Sequence, residues 1–280
     1  MRRLLPIALA AAAGALAYAR FVEPRWLART YTRVPIAGLP EALDGLRIAH
    51  LSDLHVTNHS DLLLLRRACR LAMAARPHLV ALTGDFVSDQ HGYSLGTVMA
   101  TLSEELDAPL GLFAVPGNHE WATGIARYRR ALATRPRLHD LTNAAARRTL
   151  QGATLRIAGT DSLREGDARP AEALADAAPA DLTLLLSHNP DVAEDACAAL
   201  GPVDLVLSGH THGGQVRIPL WGAIVNTSRY PRRYEAGLVW RPWAWVYVSR
   251  GVGTVGRRLR FLCRPEVAIL ETTRPPPLPC

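Results

Sequence analysis

Five apolar runs of strand length, each closed by a short polar cluster, constrain this chain more than any other feature of its sequence. The runs are Leu46–Leu51, Leu79–Thr83, Leu110–Val115, Leu182–Leu186 and Leu205–Leu207. The clusters that follow them are Asp53-Leu54-His55, Gly84-Asp85, Gly117-Asn118-His119-Glu120, Ser187-His188-Asn189 and Gly209-His210-Thr211-His212. Runs this short and this uniformly apolar read as strands buried on both faces. Helical patterns at Asp61–Arg76, Ser94–Leu106, Gly124–Arg135 and Asp191–Leu200 fall between them, and the alternation predicts an α/β fold. Two later runs, Trp245–Ser249 and Val267–Glu271, follow without an intervening helix and read as antiparallel additions. The polar clusters then lie at strand C-terminal ends, the edge of an α/β sheet where ligands bind.

The residue types in those clusters suit divalent cations. Asp53 and His55 are two apart, and on an extended chain such residues point to one face, where both can reach one cation. Asp85 leaves its strand alone, and its two carboxylate oxygens suit it to bridge two metals. His210 and His212 repeat the spacing among Gly209, Gly213 and Gly214, so a loop is expected there, free to send the two rings to different metals. Imidazole, carboxylate and one amide oxygen, without thiolate, suit manganese, iron or zinc without separating them. Any one of these motifs alone is weak; their combination in this order is specific.

In order and local context the five blocks resemble the calcineurin-like metallophosphoesterases, whose pattern is D-x-H, G-D, G-N-H-[DE], H and G-H-x-H. The resemblance covers roughly Leu46 to Thr273. It implies two packed mixed sheets flanked by helices, a four-layer αββα sandwich. It further implies one metal held by Asp53, His55, Asp85 and His212, and another by Asp85, Asn118, His188 and His210. His119 would then face the leaving group as a general acid. A hydroxide bridging two divalent metals would attack phosphorus. The tail of the second block, Phe86-Val87-Ser88-Asp89, departs from the family's usual sequence, which puts local loop contacts in question. Glu120 is open between orienting His119 and a surface ion pair. The hydrophobic leader, with His212-Gly213-Gly214-Gln215 and Ser249-Arg250-Gly251, resembles the membrane-associated bacterial phosphodiesterase branch. Some members of that branch cleave the pyrophosphate of a nucleotide-linked acylated sugar, so a lipid-linked or nucleotide-linked phosphate ester is the implied substrate. The alternatives are a secreted phosphoesterase acting on small soluble esters and a non-catalytic metal-binding scaffold, which the complete ligand set disfavours.

The remaining features bound the setting. The chain has 280 residues, 49% of them hydrophobic, and a formal charge of +7 carried by 32 arginines without a single lysine. That excess suits anionic substrates or an anionic membrane surface, but without a dense basic module no nucleic-acid partner is expected. The densest clusters are Arg229-Tyr230-Pro231-Arg232-Arg233-Tyr234, which either lines the cleft or is a solvated loop, and Arg257-Arg258-Leu259-Arg260. Cys69, Cys197, Cys263 and Cys280 show no zinc spacing, and Cys69 and Cys197 read as buried apolar residues within helices. His59 and His91 are the histidines outside the five blocks that can join a substrate loop. The domain plan is a hydrophobic segment at 1–22, a lead-in at 23–45, the phosphoesterase domain at 46–273 and a disordered tail at 274–280. Leu4 to Ala19 is uncharged and as a helix reaches roughly 24 Å, or about 28 Å with Phe21 and Val22, against about 30 Å for a bilayer core. A single-pass N-terminal anchor with the catalytic domain on the cytoplasmic side is therefore expected. The rival is a secretory signal cleaved after Ala17-Tyr18-Ala19.

Overall fold

The computed structural model describes residues 4–88, 93–176, 178–197 and 203–275. Most of the expected tail, and His91, lie outside the described residues. The strands of the first half are β1 (Ala28–Pro35), β2 (Arg47–Leu51), β3 (Leu79–Thr83), β4 (Leu112–Val115) and β5 (Leu138–Asp140). Then come β6 (Ala144–Leu150), β7 (Ala153–Gly159), β8 (Leu182–Leu186), β9 (Leu205–Ser208), a two-residue pair β10 (Arg217–Ile218) and β11 (Gly222–Ala223), β12 (Gly237–Arg241), β13 (Ala244–Val248) and β14 (Glu266–Thr273). They form two six-stranded sheets, ordered β1-β14-β2-β3-β4-β5 and β12-β13-β9-β8-β7-β6. This is the mixed α/β architecture, with two sheets, that the family resemblance implies.

The apolar runs fold as they do because both faces of each strand are covered. In β3, Leu79 and Ala81 point into the core between the sheets, while Val80 and Leu82 point into the core under the helices. That second core is closed by α2 (His59–Met73), α3 (Leu95–Glu105) and α4 (Ile125–Ala133). The helices begin where capping side chains satisfy their free N–H groups: the Asn58 side chain accepts from Asp61 N and Ser94 from Thr97 N. In β8, Leu182, Leu184 and Leu186 face the first sheet, and Leu185 faces a smaller outer core with Val206, Val246 and Tyr234. Of the helix expected over Asp191–Leu200, the described residues show a π turn, Ala193–Cys197, and residues 198–200 lie outside the described residues. Arg233 (2.9 Å) and Tyr234 (2.7 Å) both bond Glu194, and Arg229 pairs with Asp195, so this arginine cluster braces the π turn instead of lining the cleft.

Two expectations need correction. β14 is antiparallel to β2, but β13 runs parallel to β9, because the chain between them crosses over through the long segment 209–236 before returning along β12. The N-terminal anchor is overturned: among the described residues no helix is long and apolar enough to cross a membrane. The first helix, α1 (Leu4–Ala17), stops after 14 residues, roughly 21 Å, and a π turn at Tyr18–Val22 replaces its continuation. There the chain docks on the body. The Ala19 carbonyl accepts from Arg260 N at 2.9 Å, and the buried Glu23 carboxylate accepts from Leu262 N (3.0 Å) and Cys263 N. The residues flanking the expected cleavage position are thus packed into the body, against the expected single-pass anchor with its cytoplasmic domain and against the cleaved alternative.

Candidate metal centre

All five polar clusters converge at the C-terminal ends of β2, β3, β4, β8 and β9, as their positions in the sequence require. The loops are laced to one another before any side chain is considered. Asp53 N donates to Gly84 O (3.0 Å), His55 N to Asp85 O (3.0 Å) and Gly209 N to His188 O (3.0 Å). The glycines permit this closeness: a Cβ at Gly117 would sit 2.2 Å from Asp85 Oδ1, and one at Gly209 would sit 2.1 Å from Asp53 Oδ2. Asp53, His55, Asp85, His210 and His212 all adopt positive φ, between 46° and 69°. The extended i, i+2 geometry expected for Asp53 and His55 is therefore not how they meet. Both lie beyond the strand, in a left-handed conformation that costs residues with a Cβ of order 1–3 kcal/mol each.

Two nests result. In one, His212 Nε2 lies 3.2 Å from Asp53 Oδ1 and 3.1 Å from His55 Nε2. In the other, His188 Nε2 lies 3.1 Å from Asn118 Oδ1 and 3.2 Å from His210 Nδ1. Asp85 Oδ2 stands between them, 3.5 Å from His55 Nε2 and 3.3 Å from His188 Nε2. Three triads have ligand atoms close enough to share an ion: Asp53–His55–His212, His55–Asp85–His119 and Asp53–Asp85–His188. The side chains of Asp53, His55, Asp85, His188, His210 and His212 are buried, and His119 is partly exposed.

The lone pairs in these nests suit a cation. His188 Nδ1 is 2.8 Å from the Thr83 carbonyl, which can only accept, so Nδ1 carries the proton. In the neutral ring Nε2 then presents a lone pair toward Asp85 Oδ2 and Asn118 Oδ1, both oxygens. Burial pushes the His55 and His210 rings down to about 3, and His212 well below its ordinary value, so these imidazoles are neutral bases. Neutral nitrogens packed at 3.1–3.5 Å against another ring nitrogen, an amide oxygen and a carboxylate oxygen repel unless a proton or a cation lies between them. At His188, burial acts to lower the value, but Asp85 and then Asp53 carry it up to about 10. His188 is where the protein places a positive charge, and a divalent ion supplies more of it. Asp85 is held well below the carboxylate range, chiefly by His188 against the cost of burial, and burial raises Asp53 to about 6. The residues present fit divalent metals.

The structure also resolves what the sequence leaves open. Glu120 is fully buried and touches no surface cation. Its carboxylate accepts from Gly117 N (2.8 Å), Asp85 N (2.8 Å) and Phe86 N (2.9 Å), tying the third polar cluster to the second. The divergent tail of the second block supplies Ser88, which sequence reasoning passed over. Its hydroxyl is 2.9 Å from His55 Nδ1, and its carbonyl accepts from His119 Nδ1 at 2.7 Å, leaving His119 Nε2 toward Asp85 at 4.0 Å. The signal was present in its position, three residues after Asp85. His50 is a core residue, bonded to Thr83 Oγ1 at 2.7 Å, and His59 is exposed near Tyr93.

A two-sheet α/β scaffold that gathers five clusters able to hold divalent cations at its strand ends is the arrangement expected of a metal-dependent phosphoesterase. The chain belongs to the calcineurin-like phosphoesterase family, whose sequence model matches residues 46–214. It is an enzyme of the phosphoric ester hydrolase class, by that membership and the named activities of its relatives. Among those relatives, the uncharacterized metallophosphoesterase YkuE of Bacillus subtilis is 32% identical over 92% of this chain and 90% of its own. The phosphodiesterase YaeI of Escherichia coli is 32% identical over 91% of each chain. The UDP-2,3-diacylglucosamine pyrophosphatase LpxG of Chlamydia muridarum is 28% identical over 91% of this chain and 92% of its own.

Proposed function

We propose that this chain is a binuclear phosphohydrolase that cleaves a phosphodiester or pyrophosphate bond in a substrate carrying acyl chains. The observation that carries the binuclear reading is the pair of nests sharing Asp85: Asp53, His55 and His212 on one side, and Asn118, His188 and His210 on the other. Divalent cations held there would supply an activated water and neutralise charge on the phosphoryl oxygens. Asn118 offers a neutral oxygen, which leaves its cation a stronger Lewis acid than a carboxylate would. His119 holds its Nδ1 proton on the Ser88 carbonyl, so its Nε2 is the atom that gives a proton to the departing oxygen.

Two observations favour an amphiphilic substrate. Three residues beyond Gly214, the β10–β11 hairpin exposes Ile218, Leu220, Trp221, Ile224 and Val225, with Leu220 and Trp221 110% and 77% exposed. An apolar projection this close to His210 and His212 suits acyl chains on a ligand whose phosphate sits at the metals. LpxG, by its name, acts on a nucleotide-linked diacyl sugar. The test is a turnover screen of manganese-, iron- and zinc-loaded protein on bis-nitrophenyl phosphate, UDP-2,3-diacylglucosamine and the same nucleotide sugar without acyl chains. A preference for the acylated substrate that drops on Leu220→Ser/Trp221→Ser supports the reading. Equal turnover of acylated and deacylated substrates refutes it.

A further inference from the structure

We infer that the cavity between the docked leader turn, the start of α2 and the 253–258 loop is a second anion site, taking a phosphate group carried on an organic body. The cavity is about 460 Å³ and is lined by Arg20, Arg25, Arg67 and Arg258 against a single carboxylate, Asp61. That carboxylate is already engaged by Arg258 and by Thr57 N (3.1 Å) and Oγ1 (2.8 Å). Among the described residues the other three guanidinium groups have no acidic partner. Arg25 Nη1 bonds the Phe21 carbonyl at 2.9 Å, Arg67 Nη1 the Arg25 carbonyl at 3.3 Å, and Arg20 rests over the Phe21 ring.

Some arginines of this chain are paired with acids, as in Arg66–Glu105, Arg217–Glu235 and Arg250–Glu266, whereas among the described residues these three converge on one cavity unpaired. Three forked donors gathered around one hollow, none of them paired with a carboxylate, match an oxyanion with several acceptor oxygens. The start of the 15-residue α2 adds the positive end of a helix, with Asn58 and Ser60 at the rim. Pro24, Leu63 and Leu64 give the wall an apolar side, which a bare ion would leave wet and an organic body would cover. The volume is that of a small-molecule site.

The site is distinct from the metal centre but backs onto it. Gly253, in the cavity wall, donates to the Asp53 carbonyl at 2.7 Å, and a Cβ there would meet Leu54 O at 2.2 Å. No residue of either metal nest lines the cavity.

The test compares the metal-loaded full chain with Arg25→Glu/Arg67→Glu by calorimetric titration of phenylphosphonate, whose P–C bond is not hydrolysed as an ester. It is paired with flotation on vesicles of phosphatidylcholine with and without phosphatidylglycerol. Each lost guanidinium removes charge-assisted bonds worth about tenfold in affinity, so the double variant should bind the second equivalent about 100-fold more weakly. Its metal content and melting temperature should match the parent. If it does not fold, Arg67→Gln, at an exposed position, should still weaken that equivalent about tenfold. A second phosphonate equivalent lost on substitution assigns a soluble phosphorylated ligand. Retention on phosphatidylglycerol vesicles that falls on substitution assigns a phospholipid headgroup. One phosphonate equivalent bound alike by parent and variant, together with unchanged vesicle retention, overturns the proposal.

Discussion

Glu120 gives the sharpest test of how the metal loops are held. Its carboxylate receives three backbone N–H groups at 2.8–2.9 Å in a site without solvent contact. Bonds to a charged acceptor contribute about 1.5–3 kcal/mol each. Against them stand burial and then the charge of Asp85, which together push Glu120 up to about 7. In Glu120→Gln, the amide oxygen placed at Oε2 still accepts from Asp85 N and Gly117 N, but the amide NH2 then opposes Phe86 N–H. One buried donor is orphaned, at about 1–3 kcal/mol, and two bonds become neutral, while the desolvation cost of the charge is relieved. The net is a loss of about 2 kcal/mol. Glu120→Ala orphans all three donors and should lose about 4 kcal/mol, water entry offsetting part of the full penalty. Urea unfolding measures both, as a lower midpoint with an unchanged slope. Because Asp85 is displaced with its backbone, bound metal per chain should fall as well. A Gln variant as stable as the parent and carrying its full metal would refute the reasoning.

Other substitutions separate the roles in the centre. Asp85→Asn removes the charge shared between the two nests, so metal per chain, read by elemental analysis, should fall well below the parent's; two tightly retained ions would sink the bridging assignment. His119→Ala should keep its metal yet lose about 10²- to 10⁴-fold in turnover on an ester with a poor leaving group, and much less on a nitrophenyl ester. Equal losses on the two esters would contradict proton donation by His119. His50 carries a pH dependence of its own. Burial lowers it from 6.5 to about 3, so the unfolded chain takes up the proton first as pH falls. The stability it contributes is fully present above about pH 6.5 and is lost as pH drops toward 3, at up to about 1.4 kcal/mol per pH unit. Urea midpoints of His50→Gln between pH 7.5 and 5 should decline less steeply than the parent's, and parallel declines would exclude His50 as a source.

What the sequence discloses here follows from where its constraints are local. A strand buried on both faces must be apolar at every position, so Leu79–Thr83 and Leu182–Leu186 are legible as runs, to the residue. β1 is not, because its ends lie far apart in sequence from β14, its partner, and its exposed face alternates Arg29, Tyr31 and Arg33 with half-buried threonines. The length of α1 is equally hidden: an uncharged stretch reads as a continuing helix, and the turn that ends it is held by distant amides, Arg260 N on the Ala19 carbonyl and Leu262 N and Cys263 N on Glu23.

The site divides in the same way. Which residues gather is legible, since metal ligands are chemically distinctive and sit at strand ends. How they gather is not. The i, i+2 spacing of Asp53 and His55 suggests an extended chain, whereas both are left-handed, as are Asp85, His210 and His212. That conformation is unfavourable in each residue taken alone, and it persists because neighbouring loops fix it: Gly84 O accepts Asp53 N, Asp85 O accepts His55 N, and Asp53 accepts His210 N at 3.1 Å through both oxygens. Each of these bonds joins clusters separated by 30 residues or more in the chain. The strain at one cluster is thus held by another, and Glu120, which sequence alone left between two minor roles, is the buried carboxylate at the junction of the second and third clusters, where it accepts three backbone N–H groups.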